Sequence, residues 1–310
     1  MRTCDILLAA YNGERFGPAL LESLLSQTFQ DFQLIVRDDG SNDGTLQMLQ
    51  DYAPRFGGRM KILTCGSPTG SAKGNFSILI NQSESEYIMF ADIDDVWLPT
   101  KVDDTIRLLR EAEAECEEDT PIYVFTDVTP VNTDLVPVQD SYWKYKKIDP
   151  RAGQNLHQSL ICPVMLGCAS GMNRALARLV APVPATVTGH DWWALLIALA
   201  FGEVRYSDKR NLLYRLHGGN ASKPKRVSLV SYALALNQFG LIRHGLNRRI
   251  EQAQAVLDRF ESQMSPDKVQ IIKNFVAIKN QGFLMRRYSW IRGGYFYSDV
   301  PRNIAMLLGM

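Results

Sequence analysis

The chain predicts an α/β protein with a mostly parallel central sheet flanked by helices, followed by a helical C-terminal appendage. Three observations lead there. Short apolar runs rich in β-formers alternate with amphipathic stretches from residue 4 onward, the signature of a doubly wound sheet. Several of those runs end in loops dense in Asp, Gly, Asn and Ser. After residue 220 the pattern turns helical and basic: residues 221–310 carry 14 Lys+Arg against 5 Asp+Glu, whereas residues 1–220 carry 20 against 28.

The apolar run 4–10 reads as a buried first strand, broken by Tyr11-Asn12-Gly13-Glu14. A helix follows, with Leu20, Leu21, Leu24 and Leu25 on one face. Residues 32–36 read as the second strand, 45–56 as a helix and 60–64 as the third strand. Another helix begins near Phe76, and 87–90 is the fourth strand. Residues 100–118 predict a long helix whose acidic end is a solvated face. Then come a strand over 121–127, an edge strand over 131–138, and an aromatic, basic stretch over 140–153 that suits either an acceptor-side lid or a surface loop. Beyond residue 220 the pattern predicts helices over 227–246, 247–263 and 266–278, then a tail mixing aromatics with Arg286, Arg287 and Arg292.

The composition is that of an ordinary globular protein, with 310 residues, 46% hydrophobic and 22% charged, enough for one large α/β domain and an appendage. Five cysteines without CxxC spacing argue for reduced thiols and against a disulfide framework or structural zinc. No signal-peptide pattern and no transmembrane-length apolar run is visible, so a cytosolic protein is expected. The basic C-terminal third suits an anionic membrane interface, or packing on the rest of the chain or on another copy in a homo-oligomer. It lacks a recognisable nucleic-acid module.

The densest chemistry lies at Asp92-Ile93-Asp94-Asp95, directly after the fourth strand. Ligands of open α/β sheets bind at such strand ends. Nearby carboxylates repel unless a cation neutralises them, and a hard divalent ion shared with substrate phosphate is the natural candidate. The alternative is capping, with Asp94 or Asp95 at the start of the helix near Pro99. No GxGxxG or P-loop pattern follows any of these strands, which argues against a dinucleotide fingerprint or an ATPase.

Four stretches occur in order: 10–14 (Ala10, Tyr11, Asn12, Gly13, Glu14), 37–45 around Asp38 and Asp39, 74–76 around Asn75, and 91–99 around Asp92, Ile93 and Asp94. Together they resemble family 2 glycosyltransferases, and more narrowly the bacterial rhamnosyl-, galactosyl- and glucosyltransferases of surface polysaccharide, over about the first 220 residues. The resemblance implies a GT-A-type fold with Mg²⁺ or Mn²⁺. A catalytic domain would span 1–220, divided into a nucleotide-sugar half (1–100) and an acceptor half (101–220), with 221–310 a basic helical region. It implies a UDP- or dTDP-sugar donor and a saccharide acceptor, commonly lipid-linked, which favours peripheral contact with the cytoplasmic face of the inner membrane.

Residue by residue, the resemblance puts Tyr11 against the nucleotide base and Asp39 on the base imide, with Ala10, Asn12, Glu14, Asp38, Asn75 and Ile93 close by. Asp92 would meet the ribose and Asp94 the metal. Asp191, in Gly189-His190-Asp191-Trp192-Trp193, matches the family's general base, with Trp192 and Trp193 as faces for an acceptor sugar. His217, in the segment 212–220, would complete the metal site or bind the diphosphate. Capping by Asp191, core packing of Tyr11 and an outward-facing Arg215 stay open on the residues alone. The competing functions are a nucleotidyltransferase, disfavoured by the glycine-poor, acidic first loop, and an inactive carbohydrate-binding protein, which would be expected to have lost an acidic motif.

Overall fold

The computed structural model describes residues 2–63, 66–217 and 239–310. Strands β1 (Cys4–Ala10), β2 (Phe32–Asp38), β3 (Met60–Leu63) and β4 (Tyr87–Asp92) form one parallel half of the sheet, in the order β3-β2-β1-β4. The mostly apolar sequences of β1, β2 and β4 suit strands covered on both faces. Helices α1 (Gly17–Leu25), α2 (Thr45–Tyr52) and α3 (Ala72–Gln82) connect them. Pro54 turns the end of the expected 45–56 helix into a separate 3-10 turn, Ala53–Phe56.

The second half is more mixed than expected. Helix α4 (Lys101–Ala114) is shorter than the 100–118 reading and leads to β6 (Ile122–Val131). The two-residue β5 (Val96–Trp97) lies between β4 and α4 in the chain and pairs antiparallel with β8 (Glu203–Arg215) at the sheet edge. β7 (Ser170–Asn173) inserts between β4 and β6, antiparallel to both, while β8 runs parallel to β6. The full order is β3-β2-β1-β4-β7-β6-β8-β5. The expected edge strand over 131–138 is not one: β6 takes Val131, and only the isolated bridge Val131–Pro137 remains. The 140–153 stretch folds into helix α5 (Tyr142–Lys146) and a 3-10 turn, with Tyr142 and Trp143 buried, so it is not an aromatic lid. Short α6 (Leu156–Ser159), α7 (Arg174–Val180) and the apolar α8 (His190–Phe201) complete this half.

The C-terminal region is welded to the core. The expected helices over 227–246 and 247–263 are not separate there: a single helix, α9, covers Phe239–Phe260. The earlier part of the 227–246 helix lies outside the described residues. The α9 stripe Leu246, Ile250, Ala253, Val256, Leu257 and Phe260 is buried in the same core as the sheet. Phe260 stands 5.2 Å from Phe201 and 6.2 Å from Trp193, ring to ring. Helices α10 (Pro266–Ala277), α11 (Phe283–Arg292) and α12 (Val300–Gly309) follow.

The loop over 181–189, which delivers the chain to α8, is held from two sides. Lys73 at the start of α3 donates to the carbonyls of Ala185 and Val187. From α9, Gln252 Oε1 accepts from the Thr188 amide at 2.8 Å, and Arg259 donates to Pro182 O at 2.7 Å. Residues 239–310 are therefore structural partners of the loop before Asp191.

Phe260→Ala should destabilise the whole protein by about 3–5 kcal/mol, the usual cost of truncating a buried aromatic. Denaturant unfolding followed by Trp fluorescence and by far-UV circular dichroism should show one shifted transition. An unshifted main transition would mean that α9 is a detachable appendage.

Candidate active site

The loops after β1, β2 and β4 leave one edge of the sheet, because parallel strands place their C-terminal ends together. The first two are zipped to each other. Asn12, the first turn residue in the left-handed region (φ 47°), donates its amide to Ser41 Oγ at 2.8 Å, and its own Oδ1 accepts from the Asn42 amide at 3.0 Å. Gly13 N donates to Thr45 Oγ1 at 2.7 Å, and Glu14 Oε2 accepts from Gly44 N at 2.9 Å. A Cβ on Gly13 would lie 2.3 Å from Ile93 Cδ1, so the glycine is what lets the β4 turn pack under this loop. Ile93 is thereby buried against the loop, whereas Tyr11 is 57% exposed at its tip. The core-tyrosine alternative for Tyr11 fails on that exposure.

Asp39 sits deeper, its amide donating to Ala10 O at 2.9 Å. Its carboxylate accepts from Arg37 Nη1 (2.6 Å), the Thr69 amide (2.7 Å) and Thr69 Oγ1 (2.9 Å). Burial opposes the charge, but these donors together hold the carboxyl below its ordinary range. A carboxylate has about four acceptor positions, so one remains for a further donor. Asn75 is only 2% exposed and spends both polar atoms on Arg37, at 3.1 and 3.0 Å. It therefore positions Arg37, which corrects the expectation of a nucleotide contact. Nor does Asn75 cap its helix, since Ser71 does. Asp38 makes the turn itself, accepting from the Gly40 and Ser41 amides at 3.1 and 2.9 Å.

At the end of β4, Asp95 N donates to Asp92 O at 3.3 Å and closes a tight turn. The capping alternative fails, because the N-cap of α4 is Thr100. Asp94 Oδ2 lies 2.5 Å from His217 Nε2. Arg215 faces inward: its amide donates to Asp95 Oδ1 at 3.0 Å and its Nε to Asp94 O at 2.8 Å. The end of β8 thus grips the β4 turn by backbone and side chain. Gly218–Asn220, the close of the expected 212–220 motif, lie outside the described residues.

Asp92 is where the halves meet. Its carboxyl is pushed up to about 7, by burial first, then by the charges of Asp94 and of Asp191, a hundred residues on. Asp95, fully buried, is raised well above its ordinary range by burial and by Asp94 and Asp92. Its Oδ2 has no hydrogen-bond partner among the described residues. Asp92, Asp95 and the thiol of Cys168 offer atoms within 4.8 Å of one another. Burial and the same carboxylates push the Cys168 thiol up, so it stays protonated and is a poor ligand. Carboxylate oxygens with one imidazole suit a hard divalent cation, and the orphaned Asp95 oxygen beside a mutually repelling pair fits one.

Asp191 lies inside the first turn of α8, whose N-cap is Gly189, so it is not the capping residue. Among the described residues its Oδ1 accepts only from the adjacent Trp192 amide, at 2.8 Å. Gly167 brings bare backbone to it: a Cβ there would lie 3.4 Å from Asp191 Oδ2 and 3.2 Å from His190 Nε2. His190 is stacked on Phe76 at 3.9 Å and lowered by burial, against the pull of Asp191, so the neutral ring is core. The two tryptophans are not sugar platforms. Trp193 is fully buried with its indole donating to Val180 O at 3.0 Å, and Trp192, 6% exposed, donates to Ser159 O at 2.6 Å. Their size and apolarity, read as a sugar face, serve the core.

Sequence reasoning passed over Arg37, Thr69, Cys168 and Lys101. Lys101 is fully buried over the Trp97 ring, 4.8 Å away, and burial lowers its pKa to about 8 against the pull of Cys168, Asp95 and Asp104. It places a cation beneath the acidic turn. Its place near a helix start gave no warning. Cys4, Cys116, Cys162 and Cys168 are free thiols, in keeping with the reduced reading, and Cys65 lies outside the described residues.

Residues 5–180 match the family described as Glycosyl transferase family 2. The chain is 24% identical over 247 residues to the dTDP-rhamnosyl transferase RfbG of Shigella flexneri, covering 78% of this chain and 81% of that protein. It is 24% identical over 245 residues to the UDP-Glc:α-D-GlcNAc-diphosphoundecaprenol β-1,3-glucosyltransferase WfaP of Escherichia coli, covering 79% and 89%. Among solved structures, S. aureus TarS 1–349 in complex with UDP-GlcNAc superposes with a TM-score of 0.55 at 17% identity, over 96% of this chain and 93% of that one. The longer TarS chain is covered only to 48%. The mannosyltransferase PcManGT of Pyrobaculum calidifontis, in complex with GDP-Man and Mn²⁺, has a TM-score of 0.55 at 13% identity, over 94% and 73%. These likenesses make the fold GT-A-like, as expected from the sequence.

A raised carboxyl costs stability once ionised. With Asp92 at about 7 in the fold and at an ordinary carboxyl value unfolded, its part of the stability falls as pH rises through that window. In chelator-treated protein, Asp92→Asn should flatten the stability decline between about pH 4 and pH 7 and leave the two proteins alike below it. Urea midpoints across pH test this. Parallel curves for the two proteins would rule out the electrostatic crowding of Asp92.

Proposed function

The chain belongs to glycosyl transferase family 2, and on that premise we propose that it is an inverting transferase acting on a UDP- or dTDP-sugar. The acceptor would be a hydroxyl of a lipid-linked saccharide in bacterial surface polysaccharide synthesis. The observation that carries this is the meeting of Asp191 with the β4 turn, where the Asp92 carboxyl feels both Asp94 and Asp191. A base and a diphosphate site must share one small volume for direct displacement, and the charge of Asp191 felt at Asp92 supports that reading. Support for the donor and acceptor classes comes from the names of the relatives, one a dTDP-rhamnosyl transferase and one acting on a diphosphoundecaprenol-linked sugar.

Each group then has one task. Tyr11, at the exposed loop tip, offers a ring face to the base, and Asp39 has an acceptor position left for its imide N–H. Asp92 takes the ribose side. Asp94 and His217 would hold Mg²⁺ or Mn²⁺, which when bound neutralises charge on the departing diphosphate. Asp191 accepts the proton of the acceptor hydroxyl as that oxygen forms its bond to the anomeric carbon. The bond from that carbon to the diphosphate breaks with its electron pair leaving on the diphosphate, so the configuration inverts. The acceptor's lipid carrier would bring the enzyme to the cytoplasmic face of the inner membrane as a peripheral protein. No helix among the described residues is long and apolar enough to cross a membrane.

Asp191→Asn should lower transfer by about 10²–10⁴-fold, the usual worth of a general base, while nucleotide binding is retained. Product formation from UDP- and dTDP-sugars, with calorimetric titration of UDP alongside, reads both. Full transfer in the variant would sink the assignment of the base.

A further inference from the structure

The C-terminal helices carry an apolar, arginine-studded face that the catalytic reading does not use. Among the described residues, eight of the twelve large hydrophobics that stand exposed lie between 283 and 308. Leu284, Tyr288 and Ile291 recur at helical spacing on α11, and Val300, Ile304 and Leu308 on α12. Leu284 is 78% exposed and Val300 67%. Arg287 joins the two helices: it lies 3.5 Å over the Phe283 ring and donates to Leu308 O at 3.4 Å. Beside it opens a cleft of ≈ 570 Å³ lined by Arg243, Lys279, Phe283, Arg286 and Met310.

The arginines lack counter-charges. Among the described residues no carboxylate forms an ion pair with Arg243, Lys279, Arg286, Arg287 or Arg292. The Arg287 guanidinium is lowered by burial and then by the neighbouring charges of Arg286 and Arg243. A cation cluster beside exposed aliphatic side chains needs a partner that is anionic at one depth and apolar at the next. A leaflet containing anionic phospholipid meets both demands.

We infer that the α11–α12 face, with the cleft at Arg243 and Arg286 at its edge, is a docking surface for an anionic phospholipid bilayer. This deepens the proposed membrane-side function, though it rests on the geometry of this face. A second copy suits the face less well, since a two-fold contact would set the same arginines against each other. Residues 218–238 cannot neutralise the cluster, because that segment carries three cations and no carboxylate.

The test is co-sedimentation of the full chain with vesicles of phosphatidylcholine alone or mixed with phosphatidylglycerol. The protein should pellet with the anionic vesicles and remain in solution with the neutral ones. Arg243→Gln with Arg287→Gln should weaken partitioning about 25-fold, at about fivefold per arginine, and added salt should do the same. Leu284→Ser with Ile304→Ser, both exposed and so tolerated by the fold, should weaken it by about tenfold or more. Equal pelleting with neutral vesicles, no pelleting, or unchanged pelleting of both double variants would overturn the inference. So would a dimer that the serine variant dissociates without any vesicle binding. UDP titration of the same proteins separates the two claims: vesicle binding by a chain that takes no nucleotide supports this surface and sinks the enzymatic reading.

Discussion

Asp92, Asp94 and Asp95 crowd three carboxylates into one turn at the end of a buried strand, and their repulsion is the constraint that the surrounding structure answers. Asp95 is turned inward and met by the Arg215 amide. Asp94 is met at its side chain by His217 and at its carbonyl by Arg215 Nε. Lys101 lies buried beneath, over Trp97. Two of these partners, Arg215 and His217, sit at or just beyond the end of β8, so the sheet must bring β8 across to β4's end. It does so through the short β5, which ties Val96 and Trp97 to Leu213 and Leu212. Among the described residues Asp95 Oδ2 has no hydrogen-bond partner and the Asp92 carboxyl is raised, a crowding of acids suited to a divalent ion.

The same constraint divides labour around the site. The β1 and β2 loops are zipped into one unit through Asn12, Gly13, Glu14 and their partners, leaving Tyr11 at the tip. The α8 start is held from outside, by Lys73 on the nucleotide side and by Gln252 and Arg259 from α9. A base must stand within hydrogen-bond reach of its proton to be useful, so this clamp is a condition of chemistry as well as of stability. It also ties the C-terminal helices, through α9, to the loop that presents Asp191.

Much of this was legible in the residues, for physical reasons. β1, β2 and β4 are mostly apolar runs because both faces are covered, and the acidic turns mark their C-terminal ends. β7 escaped notice because Ser170-Gly171-Met172-Asn173 has small and polar side chains that fit between β4 and β6 without a strand signature. Trp193 was misread because bulk and apolarity look the same whether they face a sugar or the core. The apolar stripe of α9 was visible, but a stripe does not name what covers it, and here it is Trp193 and Phe201. Asn75 and Asp38 fell in motif positions, yet their partners are Arg37 and the local turn; the first pairing depends on tertiary geometry, the second on the turn that Asp38 itself makes.

The central claim is that the turn after β4 holds a nucleotide diphosphate through a divalent ion at Asp94. Calorimetric titration of UDP with and without Mn²⁺, in the wild type and in Asp94→Ala, tests it most directly. The account predicts strong metal-dependent binding in the wild type and weak, metal-indifferent binding in the variant. Equal binding with and without Mn²⁺ in the wild type, or unchanged metal dependence in Asp94→Ala, would contradict it.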